Sequence, residues 1–231
     1  MPDFTVVIPT LNERGTITGL LKELRSLYPS AKVIVADDGS RDGTQKAVLQ
    51  VARKDRRISL LDRSESEAHG LTASVLDAAG LAKTDFIVVM DGDLQHPPEK
   101  VGDLVGELAR GADVAVAYRV GVEGAWPFER RVMSKGAELL GAAALAVRGA
   151  PQCRDVLSGF FAARAALLRD AARRHPNRFE LEGYKVLFDL LKALPRDAVV
   201  AEVPYVFNQR RSGSSKIGLM HIGAFLRSLV R

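Results

Sequence analysis

Apolar residues in the first half of the chain fall into short, nearly continuous runs. Longer stretches separate them, in which apolar positions recur every three or four residues. The runs predict strands over Phe4 to Ile8, Lys32 to Ala36, Ile58 to Leu61, Phe86 to Met90 and Val114 to Tyr118. Strands that are apolar on both faces belong to mostly parallel sheets covered on both sides. Between them the helical period predicts helices over Thr16 to Leu27, Gly43 to Arg53, Thr72 to Ala82 and Pro98 to Arg110, with Asn12, Asp42 and His96-Pro97-Pro98 as start signals. Strand and helix alternate, so the fold class is α/β, a mostly parallel central sheet with helices on both faces. After Arg119 the rhythm breaks into a Gly- and Trp-containing loop, a helix from Glu129 to Val147, the run Ser158 to Ala163, a helix from Leu181 to Leu194 and a last strand from Val199 to Val203. With no internal repeat and no long linker, this reads as one domain whose second half is built onto the first.

Composition narrows the picture only modestly. At 231 residues, 47% hydrophobic and 26% charged, the chain is ordinary globular protein rather than disordered or fibrous. The single Cys153 excludes an internal disulfide framework and a multi-cysteine zinc site, and reads as a small half-buried hydrophobe. A net charge of +5 leaves phosphates, polyanions and anionic membranes as partners without choosing among them. The charge is scattered and not interleaved with aromatics, which argues against a nucleic-acid surface. Met1-Pro2-Asp3-Phe4 carries an acid where a signal peptide carries positive charge, and no apolar stretch approaches the roughly 20 residues a spanning helix needs.

Ligands of open α/β sheets bind beyond the carboxyl ends of the strands, so the residues just after each strand carry the most information. Pro9-Thr10-Leu11-Asn12-Glu13 follows the first strand, Asp37-Asp38-Gly39-Ser40 the second, and Asp91-Gly92-Asp93-Leu94-Gln95 the fourth. Neither a Gly-rich dinucleotide turn nor a P-loop is present, so phosphate has no backbone cradle of those kinds. The pair Asp91 and Asp93 at a strand end offers two carboxylates to a hard cation, Mg²⁺ or Mn²⁺, which keeps positions open for substrate phosphate oxygens. An acid such as Asp38 can accept hydrogen bonds from a base or a ribose.

Three runs resemble the signatures of family 2 inverting glycosyltransferases: Val7-Ile8-Pro9-Thr10-Leu11-Asn12-Glu13, Asp37 through Thr44, and Met90 through Pro98. Trp126 through Arg131, Ser134-Lys135-Gly136-Ala137, Ser158 through Ala162, Gly183-Tyr184-Lys185, Glu202-Val203-Pro204-Tyr205, Arg210 and Gly213-Ser214-Ser215-Lys216 are similar to those of dolichol-phosphate (polyprenyl-phosphate) mannosyltransferases. The resemblance covers essentially the whole chain. It implies a Rossmann-like GT-A fold and a GT-A catalytic domain over residues 1–216. It also implies transfer of mannose from GDP-mannose to dolichyl or polyprenyl phosphate. Pro9, Leu11, Glu13, Ala36 and Asp38 would line the nucleoside pocket. Asp91, Gly92 and Asp93 would face ribose and diphosphate, and Asp93 with Gln95 would coordinate the metal. Arg119, Arg130, Ser134 and Arg210 are expected at the acceptor phosphate, Lys185 and Lys216 at the donor diphosphate, with Asp91, Asp93 and Arg119 as the catalytic set. The family often has Tyr where Leu11 stands, Ala where Gly92 stands and Glu where Ser214 stands, departures that bear on nucleotide preference more than on reaction type.

The nucleophile implied is a phosphomonoester, which already carries an oxyanion near neutral pH because its second pKa is about 6, so no strong general base is required. The same chemistry with UDP-glucose and undecaprenyl phosphate is the nearest alternative; a catalytically silent GT-A-like scaffold binding membrane partners is another. Residues 217–231 form a basic amphipathic segment with Ile217, Met220, Ile222, Phe225, Leu226, Leu229 and Val230 on its apolar positions and no acid. Such a segment reads equally as a terminal helix packed on its own domain and as a membrane-surface helix with Arg227 and Arg231 facing anionic headgroups, where firm attachment would need Phe225 and Leu229 to enter lipid, or as a piece cut short before spanning helices. The expected location is therefore the cytoplasmic face of a membrane, with a membrane-anchoring partner subunit as one means of attachment.

Overall fold

The computed structural model describes residues 2–122, 128–207 and 219–231. Among the described residues seven strands form one sheet in the order β3-β2-β1-β4-β6-β5-β7. These are β1 (Phe4–Thr10), β2 (Lys32–Asp37), β3 (Ile58–Asp62), β4 (Phe86–Val89), β5 (Val114–Val122), β6 (Phe161–Arg164) and β7 (Val200–Phe207). All pairings are parallel except those of β6, which runs antiparallel to both β4 and β5. The expected mostly parallel sheet is present, and Ser158 to Ala163 supplies the one reversed strand.

Alternation along each strand divides the core into two layers. On β1, Val6 and Ile8 pack with helices α1 (Arg14–Leu27), α2 (Thr44–Ala52) and α4 (Val101–Ala109) through Leu20, Leu21, Val48 and Leu104. Val7 points to the other face, which α3 (Leu71–Leu81), α6 (Ala165–Arg174) and α7 (Val186–Ala193) cover with Val75, Leu168 and Leu190. Helix α6 was not expected from the apolar pattern, because its buried positions are only Ala165, Leu168 and Ala171 in a segment rich in arginine. The sequence pattern also starts the helix after Lys185 too early: residues Leu181 to Lys185 form the entry to α7 instead. Asp42 serves two helices at once, accepting from Arg14 N at 3.0 Å and from Thr44 N at 2.9 Å, which docks the start of α1 against that of α2.

Helix α5 (Phe128–Arg148) and the terminal α8 (Leu219–Val230) complete the domain. Among the described residues no helix is long and apolar enough to cross a membrane. The expectation that Phe225 enters lipid is corrected: Ala224, Phe225 and Ser228 are buried, with Phe225 edge-on to Phe188 at 6.0 Å. Arg227 pairs with Glu180 and Glu182 at 3.3 and 3.2 Å, and Arg231 with Glu180 at 3.3 Å. Beneath them Lys192 donates to Ser228 O at 2.8 Å and meets Asp189 at 2.8 Å; the side chains of Lys192 and Asp189 are 0% and 1% exposed. The acids that receive the basic tail lie some forty to fifty residues upstream, which is why the tail alone looked uncompensated.

Candidate active site

Strand order reverses between β1 and β4, since β2 and β3 lie on one side of β1 and the later strands on the other. That reversal opens a crevice at the carboxyl ends of the strands. Thr10 pairs in register with Asp37, and Asp37 with Asp62, so the ends of β1, β2 and β3 are level. Val89 stands opposite Val7, and β5 runs in the same direction as β4 through the reversed β6. The segments beginning at Asp38, Asp91 and Arg119 therefore meet at one edge.

Asp93 is 4% exposed and its carboxylate accepts from Gln95 N at 3.1 Å. Leu94 between them has φ 64°, a left-handed conformation that a bulky residue adopts only when its surroundings impose it. This kink turns the chain tightly between Asp93 and Gln95. His96 is buried, stacks on Phe160 at 5.0 Å and accepts at Nδ1 from Asp91 N at 3.1 Å. Burial pushes its pKa down to about 4, against the pull of Asp93, so near neutral pH it is an uncharged acceptor that ties down the acidic loop. His96 stands just before a helix start at Pro98, as its sequence signal implies, and beyond that it braces the acidic loop.

Glycines make room around the acids. A Cβ on Gly159 would sit 3.3 and 3.4 Å from the two Asp91 carboxylate oxygens. Gly159→Ala is accordingly expected to lower kcat/KM by roughly 10- to 100-fold through displacement of Asp91 while the fold persists; steady-state kinetics beside a thermal melt checks it, and unchanged kinetics would show that Asp91 has room to spare. A Cβ on Gly92 would come within 3.1 Å of Thr10 Cγ2, so an alanine there would require that methyl to give way by a few tenths of an ångström.

On the nucleoside side, Pro9 and Ala36 are buried register partners that form the floor, Leu11 is exposed at the rim, and Glu13 is half-buried with its N–H bonded to the Thr44 hydroxyl at 2.9 Å. Asp38 is at the expected edge, but its carboxylate is held by the chain itself: by the Arg63 guanidinium, by His69 Nδ1 at 3.0 Å and by Gly70 N at 2.8 Å. Arg63, almost fully buried, also reaches Asp77 at 2.8 Å and Ala68 O at 2.7 Å. It was not singled out from the sequence, although it directly follows β3, the one strand end of that half left unread.

Across the crevice, Arg119 donates from Nε to Asp155 at 3.1 Å, and Lys185 donates to Leu157 O at 2.9 Å. Burial pulls the Lys185 pKa down to about 8, with Asp155 and Asp91 opposing and Arg119 assisting the shift. It remains a cation at neutral pH. Asp155 is the second residue missed: it is 36 residues from Arg119 in sequence and follows no strand. Ser134 is half-buried on α5; Arg130 lies on the same helix with its side chain outside the described residues, as do Arg210 and Lys216 altogether. Beside this group Cys153 is inert, its thiol pushed up to about 12 by burial and by Glu202.

Whether these residues suit a divalent cation can be judged from the donor set. Among the described residues no cluster of three or more His, Cys, Asp or Glu forms a closed metal cage. The acidic loop instead carries the carboxylates of Asp91 and Asp93 and the Gln95 amide, all hard oxygens, which suits an ion that keeps waters and phosphate oxygens in its shell. The residues fit Mg²⁺ or Mn²⁺.

The chain matches the model of glycosyl transferase family 2 over residues 5–172. It is 33% identical over 236 residues to a dolichol-phosphate mannosyltransferase of Pyrococcus furiosus, covering 98% of this chain but spanning only 62% of that relative's length. With the dolichol-phosphate mannosyltransferase of Saccharomyces cerevisiae it shares 31% identity, over 98% of this chain and 85% of the relative. A polyprenol monophosphomannose synthase of Mycolicibacterium smegmatis is 31% identical over 92% of this chain and 80% of the relative. Among solved structures, glucosyl-3-phosphoglycerate synthase of Mycobacterium tuberculosis, in complex with Mn²⁺, UDP and glucosyl-3-phosphoglycerate, superimposes with a TM-score of 0.70 at 24% identity, over 99% of this chain and 77% of that one. That likeness places the fold among the GT-A glycosyltransferases.

Proposed function

Because the chain belongs to glycosyl transferase family 2 and, within it, to the dolichol-phosphate mannosyltransferases, we propose that this glycosyltransferase moves mannose from GDP-mannose to a dolichyl or polyprenyl phosphate, with inversion, giving a β-mannosyl phosphoryl lipid and GDP. The observation that carries this reading is the facing of two charge types across one crevice. Asp91 and Asp93 stand at the end of β4, with the cations Arg119 and Lys185 opposite. Such a site suits two phosphorylated ligands brought together, one through a cation and one through guanidinium and ammonium groups.

Asp91, Asp93 and Gln95 would hold Mg²⁺ or Mn²⁺, which when bound neutralises the charge developing on the leaving diphosphate. Lys185, with Lys216, would add positive charge to the same diphosphate. Arg119, Arg130, Ser134 and Arg210 would hold the acceptor phosphate in line with the anomeric carbon, where orientation supplies much of the rate. No side chain need remove a proton from the nucleophile, which is already an oxyanion. His96 accords with this, since its Nδ1 is occupied by the Asp91 N–H and the ring is buried.

A lipid acceptor places the reaction at a membrane surface, which we assign to the cytoplasmic face. Exposed Leu139, Leu140 and Val147 on α5 and Leu226 and Val230 on α8 support surface contact now that Phe225 is committed to the core. A membrane-anchoring partner subunit would strengthen it. The donor is tested by thermal shift with Mn²⁺ and GDP-mannose, UDP-glucose or UDP-GlcNAc. At one hundred times Kd a donor adds about 2.7 kcal/mol, or roughly 5–10 °C for a domain of this size. GDP-mannose is expected to give that shift; a shift with UDP-glucose alone would reassign the donor.

A further inference from the structure

Arg119 is held from two sides. Its Nε donates to Asp155 Oδ2 at 3.1 Å, its Cζ lies 5.7 Å from the centre of the Phe207 ring, and the two ion-paired side chains are 24% and 6% exposed. The five donors of a guanidinium lie in one rigid plane, so a partner that holds Nε also sets where the terminal amino groups point. The turn that carries Asp155 is itself pinned to the strand that carries Arg119. Ser158 N donates to Asp155 O at 3.1 Å, and the Ser158 hydroxyl donates to Ala117 O at 2.8 Å, two residues before Arg119 on β5.

Asp155 is placed oddly for a residue that serves the fold alone. Its second oxygen, Oδ1, is buried and has no hydrogen-bond partner among the described residues, so its desolvation is offset only through the charges of Arg119 and Lys185 nearby. Asp37, buried to the same degree at the other end of the crevice, shows what a structural carboxylate looks like here: Thr10, Ser40 and Gln45 donate to its two oxygens. Asp155 is retained with one oxygen satisfied, and that one holds Arg119.

Resting on the reading of Arg119 as a ligand of the acceptor phosphate, we infer that Asp155 is a positioning residue, one that aims the Arg119 guanidinium at the lipid phosphate before it arrives. A guanidinium that must find its orientation on binding pays side-chain entropy at that step, and a prealigned one does not. Asp155 therefore acts first on acceptor binding, and its charge also helps keep the Lys185 ammonium protonated on the donor side.

Binding of a short-chain polyprenyl phosphate in detergent, measured by calorimetry without donor, tests this beside GDP binding with Mn²⁺. Losing a charge-assisted hydrogen bond of this kind is expected to weaken phosphate binding by about 10- to 100-fold in Asp155→Ala, while GDP affinity falls by clearly less, through the loss of a charge that helps keep Lys185 protonated. Asp155→Asn, whose amide oxygen still accepts from Nε without the charge, is expected to recover about half of the loss in free energy. In an Arg119→Lys background, which has no Nε, Asp155→Ala should add almost nothing. Equal losses for phosphate and GDP, or an Asn variant as impaired as the Ala variant, would overturn the inference. A wild-type chain that bound the phosphate yet transferred from no nucleotide sugar would overturn the proposed reaction and leave the Asp155 result standing; failure to bind the phosphate would overturn both.

Discussion

Asp93→Ala is expected to reduce transfer by at least about 10³-fold, the range seen when a preorganised group that stabilises transition-state charge is removed. Asp93 lies in the loop that follows β4 at the crevice and is 4% exposed, so it has little freedom to be replaced by a neighbour. The left-handed Leu94 fixes its relation to Gln95, and no third carboxylate, His or Cys among the described residues completes a metal cage that could survive its loss. Two consequences separate loss of the cation from collapse of the fold. GDP affinity in the variant should no longer respond to Mn²⁺, and its melting temperature without metal should equal that of the wild type. In the wild type, EDTA should stop the reaction, and added Mg²⁺ or Mn²⁺ should restore it. Wild-type turnover in Asp93→Ala would remove the metal assignment.

The largest expected effect on stability lies far from the chemistry. Lys192→Met should destabilise the domain by about 3–5 kcal/mol, the usual consequence of removing one partner of a buried ion pair. Burial alone pushes the Asp189 pKa up and the Lys192 pKa down, so each depends on the other to stay charged. Without the ammonium, Asp189 keeps, among the described residues, the Ser228 hydroxyl and Glu180 N as donors, and α8 loses the bond from Lys192 to Ser228 O. At roughly 2–4 °C per kcal/mol for a chain of this length, the melting temperature should fall by about 6–20 °C. Replacing the whole pair, Asp189→Asn with Lys192→Met, should recover part of that loss because no unpaired charge remains. Denaturant titration of the three proteins measures it; a Lys192→Met variant within about 1 kcal/mol of wild type would mean that α8 is held by Phe225 and its neighbours alone.

What could be read from the sequence follows from where the information lies. Phe4 to Ile8 and Phe86 to Met90 announce buried strands because a parallel strand is apolar on both faces. The acids after them stand out because strand ends are where such sheets bind ligands. Contacts between distant segments leave no local trace. Arg119 with Asp155, Asp38 with Arg63 and Arg227 with Glu180 are separated by 36, 25 and 47 residues, and each changed the meaning of a residue read in isolation. Asp38 looked like an open acceptor and proved to be anchored by three donors from the chain. The terminal helix shows the same limit differently. An apolar stripe flanked by cations is equally suited to a bilayer and to a core rimmed by acids, and only the position of Glu180 and Glu182 decides. Helix α6 was missed because alanine at a buried position is as weak a signal of packing as alanine at an exposed one.

The central claim is that this crevice joins a nucleotide-activated mannose to a lipid phosphate, and one transfer assay addresses it directly. The chain is incubated with radiolabelled GDP-mannose, Mn²⁺ and polyprenyl phosphate in detergent, the mixture is partitioned between organic solvent and water, and the lipid product is analysed for its anomeric configuration. The account predicts label in the organic phase only when both the metal and the lipid phosphate are present, as a β-linked mannosyl phosphate. Label that stays in water under all those conditions, or an α-linked product, would contradict it.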